Sequence, residues 1–303
     1  MRKYGCLRIF FGRRGIMKYS ALIGNPVEHS ISPKLFNTLM ELKNIEYSHI
    51  KIKINSKEEL KQKIDELFDL GFIGINITCP YKRDIYNIVD TYEDNAKSIY
   101  SINTIYKKNN QIIGCNTDGL ALLKAIISKK KINSNTKIVI FGAGGAAYSI
   151  FYEISKITNL ITIIDQNFNE AKSMVDLINN NAKYYDLNDI DNYINNIIES
   201  DIIINATSVG MYPDNNNMIL EEKYFKMLTA KKTFVEVVFN PNETMFIKTA
   251  KKYNHDTISG LEMLINQAIL ALEKWTNMKI ELKPSERQKI YDILIEELNR
   301  NYD

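Results

Sequence analysis

From residue 17 onward the chain alternates short β-branched runs with segments whose apolar positions recur at helical spacing. Residues 19–24 read as a strand. Ser32 follows as the N-cap of a helix over 33–43, with Pro33 at its first position. Residues 47–54 alternate with period two and predict a second strand. Ser56 caps a helix running to Leu70, with Glu59 three residues on as in a capping box. Residues 72–78 form the third strand, and Pro80 opens the next helix. Residues 102–106 and 112–115 flank Asn109-Asn110, a hairpin signal.

A helix over 120–128 leads to a different pattern. Ile138, Val139, Ile140 and Phe141 are wholly apolar and predict a parallel strand buried on both faces. The run stops in glycines, and helix-compatible sequence follows at once. Strands at 160–164, 202–206 and 233–238, with helices from Asn169 and from Glu243, extend it into a doubly wound nucleotide unit. The last two helices, 261–275 and 284–299, carry stripes such as Leu264, Ala268, Leu272 and Ile290, Ile293, Leu294, Leu298. These must bury on another surface.

Composition narrows the class. With 303 residues, 45% hydrophobic and 25% charged, the chain suits two globular domains of ordinary size. A formal charge of +3 is small for this length. The longest basic run, Lys129-Lys130-Lys131, follows a predicted helix, where lysines suit the dipole, so no nucleic-acid partner is expected. Cys6, Cys79 and Cys115 are widely spaced and odd in number, which argues against a disulfide framework and fits a reducing cytoplasm. His29, His49 and His255 have no metal-ligand spacing, so no metal is expected. No apolar run approaches the length needed to cross a bilayer. Residues 1–16 are basic, make a poor signal peptide, and read as an extension outside the fold.

Gly142, Gly144 and Ala147 fit G-x-G-x-x-G/A between a strand and a helix, the context in which a pyrophosphate meets the free N–H groups of a helix start. Three further clusters fall at strand ends or turns, where open α/β sheets place ligands. Ser30 and Ser32 can aim two hydroxyls at one anion or polyol, although Ser32 would cap its helix in any case. Thr78 ends a strand, and Lys82 falls at a predicted helix N-terminus, an unfavourable place for a cation. A lowered pKa or a carboxylate partner would explain it; an ordinary surface lysine is the plainer reading of that segment alone. Asn103 and Asp118 lie at opposite ends of the hairpin and can point into one cleft; Asp118 is also an obvious N-cap.

In order along the chain, these segments resemble the shikimate dehydrogenase family over nearly the whole length from Met17. The resemblance rests on Ser30-Ile-Ser-Pro33, Asn76-Ile-Thr-Cys-Pro-Tyr-Lys82, Ile102-Asn-Thr104 and Asn116-Thr-Asp-Gly119. It continues through the glycine loop, Asn205-Ala-Thr-Ser-Val-Gly-Met211 and Gly260-Leu-Glu-Met-Leu-Ile-Asn-Gln267. It implies an α/β fold in two parts. Residues 17–118, completed by 259–303, would form a substrate-binding and catalytic α/β domain. Residues 119–258 would form a Rossmann-type dinucleotide-binding domain, with the C-terminal helices returning to the first.

The implied reaction is reduction of 3-dehydroshikimate to shikimate by a reduced nicotinamide, in chorismate biosynthesis. Lys82 would be the acid/base and Asp118 its partner. Ser30, Ser32, Thr78 and Asn103 would line the substrate pocket with them, as would Phe239 and Gln267. Gly142, Ala143, Gly144, Gly145 and Ala146 would hold the cofactor, together with Asn205, Thr207 and Gly260.

The chain departs from the family pattern in three places. NADP-using members carry an arginine after the second nucleotide strand; this chain reads Asp165-Gln166-Asn167. Asp165 lies about twenty residues after Gly142, where an acid binds the ribose 2′-OH of NAD. NADP is therefore the cofactor by resemblance, while Asp165 predicts that NAD is accepted or preferred. Phe239 stands where a tyrosine is usual, and Tyr100-Ser101 replace Gly-Ala. These changes keep an NAD-dependent quinate/shikimate dehydrogenase as the alternative. A non-catalytic ligand sensor on the same fold is disfavoured by retention of both Lys82 and Asp118. Monomer and homodimer both stay open.

Overall fold

In the computed structural model, which describes residues 18–302, the strands form two six-stranded sheets. The extension expected at 1–16, and Cys6 within it, lie outside the described residues. The first sheet starts with β1 (Lys18–Gly24), α1 (Ser32–Leu42), β2 (Tyr47–Lys53), α2 (Leu60–Asp69) and β3 (Gly74–Ile77). It is completed by β4 (Thr91–Tyr92), α3 (Asp94–Ile99), β5 (Thr104–Lys108) and β6 (Gln111–Cys115). Its order is β2-β1-β3-β5-β6-β4. β2, β1 and β3 run parallel, and the β5–β6 hairpin is inserted antiparallel beside β3. Asn109 and Asn110, with φ of 50° and 63°, supply the left-handed pair that a two-residue hairpin needs.

α4 (Asp118–Lys129) leads to the second sheet. Its first half comprises β7 (Ile138–Phe141), α5 (Gly145–Ser155), β8 (Ile161–Asp165), α6 (Phe168–Ile178) and β9 (Lys183–Asp186). The second half comprises α7 (Ile190–Glu199), β10 (Ile202–Asn205), α8 (Glu222–Phe225), β11 (Thr233–Glu236), α9 (Met245–Lys252) and β12 (Asp256–Ile258). All strands are parallel, in the order β12-β11-β10-β7-β8-β9, so the chain winds outward in both directions from the β7–β10 pair. That is the Rossmann arrangement, with its ligand crevice at the switch point.

Strand alternation separates two cores on this sheet. Ile138, Ile140, Ile202 and Ile204 pack with α4, α5 and α6 on one face. Val139, Phe141, Ile203 and Phe234 pack on the other face with Tyr193, Phe225 and Phe246. The chain ends in α10 (Gly260–Thr276) and α11 (Pro284–Tyr302). Both return to the first sheet, where Leu272, Trp275, Ile290, Leu294 and Leu298 share a core with Leu35, Phe36 and Leu39 of α1. α10 also leans on α4, where Asn266 donates to the Ala121 carbonyl at 3.1 Å.

Four local expectations need correction. No α-helix starts at Pro80: residues 80–83 are turns, followed by a single 3-10 turn over Asp84–Asn87. The Lys82 carbonyl is drawn out of helical register to accept Ile102 N–H at 2.8 Å. The residue therefore has no α-helix N-terminus behind it, and the dipole argument for Lys82 fails. Ser56 and Glu59 make no capping box; a 3-10 turn (Lys57–Glu59) precedes α2, without a side-chain cap bond from Ser56. Ser32 is the first residue of α1 rather than its N-cap, which is Ile31. Asp118 likewise opens α4 behind the cap position, held by Thr117. In both cases the side chain is turned toward a cavity instead of toward its own helix.

β4, α3, β9, α7, α8 and β12 went unpredicted. The strands among them are short or, like β9 with its sequence Lys-Tyr-Tyr-Asp, lie at a polar sheet edge where the apolar pattern is weak.

Candidate active site

The C-terminal ends of the two sheets face one cavity of about 220 Å³. Ser30, Ser32, Thr78, Lys82, Asn103, Asp118, Phe239 and Gln267 all line it. They come from the β1–α1 turn, the end of β3, the hairpin, the start of α4, the segment after β11, and α10. Sequence reasoning did not single out the apolar lining of Leu22, Ile77, Val237, Met263 and Leu264. Nor did it separate Asn76, 5% exposed, whose amide donates to Thr104 Oγ1 at 3.0 Å while its Oδ1 has no partner. Its place in the Asn-x-Thr sequence was the available signal.

The polar centre is a chain of short bonds. Lys82 Nζ lies 2.7 Å from Asp118 Oδ2, with side-chain exposures of 28% and 10%. The other carboxylate oxygen, Oδ1, accepts from Asn103 Nδ2 at 2.7 Å. Asn103 is itself locked, because its Oδ1 accepts Thr117 N–H at 2.9 Å and the Thr104 hydroxyl at 2.9 Å. Asn116 Oδ1 holds the Asp118 N–H at 3.0 Å and receives the Ser149 hydroxyl of α5 at 2.9 Å. The Asp118 carboxylate thus has one fixed orientation, and the ammonium it holds keeps donors free for a ligand. Ser30 Oγ accepts Ser32 N–H at 3.2 Å, so one of the two serines braces the turn while both hydroxyls border the cavity.

The predicted cofactor residues form a second surface that meets this cavity only at Ala146 and Gly260. Gly142 has a φ of 109°, and a Cβ there would lie 2.9 Å from the Ala206 carbonyl, so glycine is required at this turn. Gly144 and Gly145 are exposed, and a Cβ on either would meet nothing within 4 Å. α5 starts there without a side-chain cap bond, leaving N–H groups for an anion. The cradle therefore fits a dinucleotide's pyrophosphate.

Asp165 faces this loop. Its Oδ2 accepts Ala143 N–H at 2.7 Å and its Oδ1 accepts Asn167 N–H at 2.7 Å. Asn205 and Thr207 lie across the switch point and bond each other, Thr207 Oγ1 donating to Asn205 Oδ1 at 2.7 Å. Gly260 is pressed against the segment after β11, where a Cβ would fall 2.3 Å from the Val238 carbonyl. An ion pair crosses the cleft. Arg83, next to Lys82, reaches Glu170 of α6 at 3.3 Å with its guanidinium 5.5 Å over the Tyr148 ring of α5. Burial, helped by the Glu170 carboxylate, pushes the Tyr148 phenol up to about 12.

Among the described residues no group of three or more His, Cys, Asp or Glu side chains is placed to hold a metal, and no helix is long and apolar enough to cross a membrane.

Comparison with known proteins gives a consistent family. A model described as shikimate dehydrogenase substrate binding domain matches residues 22–105, and one for shikimate / quinate 5-dehydrogenase matches residues 124–239. A third, the shikimate 5'-dehydrogenase C-terminal domain, matches residues 260–284. The shikimate dehydrogenase (NADP(+)) of Methanococcus aeolicus is 38% identical over 286 residues, covering 91% of this chain and 98% of that one. That of Methanococcus maripaludis is 36% identical over 270 residues, covering 86% and 92%. Among solved structures, a shikimate dehydrogenase in complex with NADP+ superposes with a TM-score of 0.80 at 31% identity, covering 95% of this chain and 96% of that one. A shikimate 5-dehydrogenase from Listeria monocytogenes in complex with shikimate and NAD gives 0.83 at 27% identity, covering 92% and 96%.

Proposed function

Because this chain belongs to the shikimate dehydrogenase family, we propose that it reduces 3-dehydroshikimate to shikimate at the Lys82–Asp118 cavity. It is an NAD(P)-dependent oxidoreductase. The observation that carries the site assignment is the 2.7 Å pair between Lys82 and Asp118, in a cavity that also holds Asn103 and Gln267 and touches the glycine loop at Ala146. When bound, the nicotinamide supplies the hydride. The remaining work falls to side chains. Hydride arrival at a ring ketone leaves an alkoxide, which needs a proton in the same step. The Lys82 ammonium is the donor within reach; Asp118 keeps it aimed, and the amine left behind recovers its proton from water. Asn103 and Gln267 orient ring hydroxyls, and Ser30 and Ser32 take the carboxylate. Apolar walls at Leu22, Ile77, Val237 and Met263 exclude bulk water.

The finer question is which nicotinamide dinucleotide is used. The relatives are named for NADP(+), which favours that cofactor. Asp165 favours the other: a carboxylate at the end of β8 repels a 2′-phosphate and suits a 2′-hydroxyl. Our reading is that both are used, with NAD at no great disadvantage. Initial rates of shikimate and quinate oxidation with NAD and NADP, in all four pairings, test it. A large preference for NADP removes Asp165 from specificity, and a preference for quinate replaces the substrate. Phe239 lines the cavity without a hydroxyl, which makes the quinate arm necessary. We assign a cytoplasmic setting from the cysteine usage, three widely spaced residues that suit a reducing compartment.

A further inference from the structure

Glu236 closes β11 and has no part in the chemistry above. It is wholly buried, at 0% exposure, and its carboxylate joins three segments that converge on the far wall of the cavity. Oε1 accepts the N–H groups of Val237 at 2.9 Å and Val238 at 3.0 Å. Oε2 accepts the Asn205 amide at 3.2 Å and the Thr244 hydroxyl, the N-cap of α9, at 2.8 Å. Asn205 cannot turn its amide over. Its Oδ1 accepts both the N–H (3.1 Å) and the hydroxyl (2.7 Å) of Thr207, and its Nδ2 also donates to the Val209 carbonyl at 3.1 Å. All four groups around Glu236 are therefore placed as donors, and a side chain with acceptors on both atoms is what they require. Burial pushes this carboxyl up to about 7, while the four bonds pull it down.

What hangs on this carboxylate is the nicotinamide side of the site. A bound nicotinamide would have to deliver its hydride into the cavity that holds Lys82, and Val237 and Gly260, with Ala146 beside the glycine loop, line the side of that cavity nearest the cofactor surface. Gly260 packs on the carbonyls of Val237 and Val238, and Asn205 with Thr207 forms the neighbouring turn. We infer that Glu236 is a positioning residue for the cofactor: it sets the register of the 205–209 turn against the 237–239 wall, and with it the seat of the nicotinamide. This rests on the cofactor reading given above.

Glu236→Gln is the test, because the amide has the same shape yet turns an NH₂ on two donors in either orientation. Measurements well above pH 7, where the carboxyl is ionised, compare melting temperature, the dissociation constants of NADH and NADPH without substrate, and that of shikimate without cofactor. The expected result is a rise of about tenfold or more in the cofactor dissociation constants and KM, with shikimate binding kept. Glu236→Asp, which retains the carboxylate, recovers part of the loss. A fall in melting temperature with unchanged cofactor constants overturns the inference and leaves Glu236 a structural staple. Should Glu236→Gln not fold, Glu236→Asp decides alone: raised cofactor constants support the role, unchanged ones overturn it. A parent protein that binds neither cofactor removes the cofactor reading and this inference together; a parent that binds, with a variant that binds equally well, removes only the inference.

Discussion

On the first sheet's side of the cavity, the proposed function is carried by side chains that hold one another: Lys82 on Asp118, Asp118 on Asn103, Asn103 on Thr104 and Thr117. On the second sheet's side it is carried by backbone. The glycine loop has open space at Gly144 and Gly145 for an anion, and the carboxylates of Asp165 and Glu236 point inward to hold main-chain N–H groups. The two walls should therefore fail differently. Loss of a side chain from the first removes chemistry and leaves cofactor binding. On the second, added bulk or a mispaired acceptor removes binding and leaves the proton donor untouched.

The sharpest way to break that contrast is Lys82→Ala. We expect kcat to fall by about 10²–10⁴-fold with the NAD(P)H dissociation constant at its parent value. A variant that turns over at near the parent rate would take Lys82 out of the mechanism.

Acid provides the next largest effect, and it too separates the regions. His49 of β2 is buried in a cluster with the stacked rings of Phe36 and Trp275, with Nδ1 2.9 Å from Ser20 Oγ, and burial holds its pKa down at about 3. Its folded value is depressed, so the unfolded chain takes up the proton first. Stability is full above the ordinary value of 6.5 and is lost as pH falls toward 3, by up to about 1.4 kcal/mol per pH unit. His255, under the second sheet, is lowered by burial and by Lys232. Exchange of backbone amides at mildly acid pH should therefore open the first region before the second, and His49→Phe should abolish the lead. Equal opening of the two in the parent would contradict this.

Within the second wall, two glycines part company. Gly144→Val meets no protein atom and should keep the melting temperature while raising cofactor KM about tenfold, by occupying the anion's place. Gly142→Ala forces a Cβ into a φ of 109° and should destabilise the fold by about 1–3 kcal/mol. Similar thermal curves for the two would show that the loop is not organised as described. Smallest is Phe239→Tyr on the shared edge. A restored hydroxyl is worth about 0.5–1.5 kcal/mol, so shikimate KM should fall a few-fold with cofactor KM unchanged.

Much of this candidate site was legible before any coordinates, its polar clusters from their places at strand ends and turns, and Phe239 and Gln267 from the family resemblance alone. Lys82, Asn103 and Asp118 stand at strand ends or turns that hydrophobic periodicity locates well. What misled was inference from one helix end. The dipole argument for Lys82 assumed an α-helix that the Ile102 N–H to Lys82 carbonyl bond prevents, and the caps assigned to Ser32 and Asp118 belong to Ile31 and Thr117. For Lys82 and Asp118 a tertiary partner outcompeted a local one, while Ser32 borders the cavity and makes no side-chain cap bond to its helix. Glu236 was invisible for a related reason: a lone acid at the end of an apolar strand carries no motif, and its four donors come from residues 205 to 244.

The sequence by itself determined the alternation of strands and helices, the glycine turn, and the ordered segments that mark the family. All of these are set by contacts within a few residues. The tertiary structure alone decided that Lys82 meets Asp118 at 2.7 Å, that α10 swings Gln267 back across more than a hundred residues of chain to the same cavity, and that one buried carboxylate gathers the opposite wall. Such juxtapositions depend on how two separately wound sheets pack, and no local preference records that.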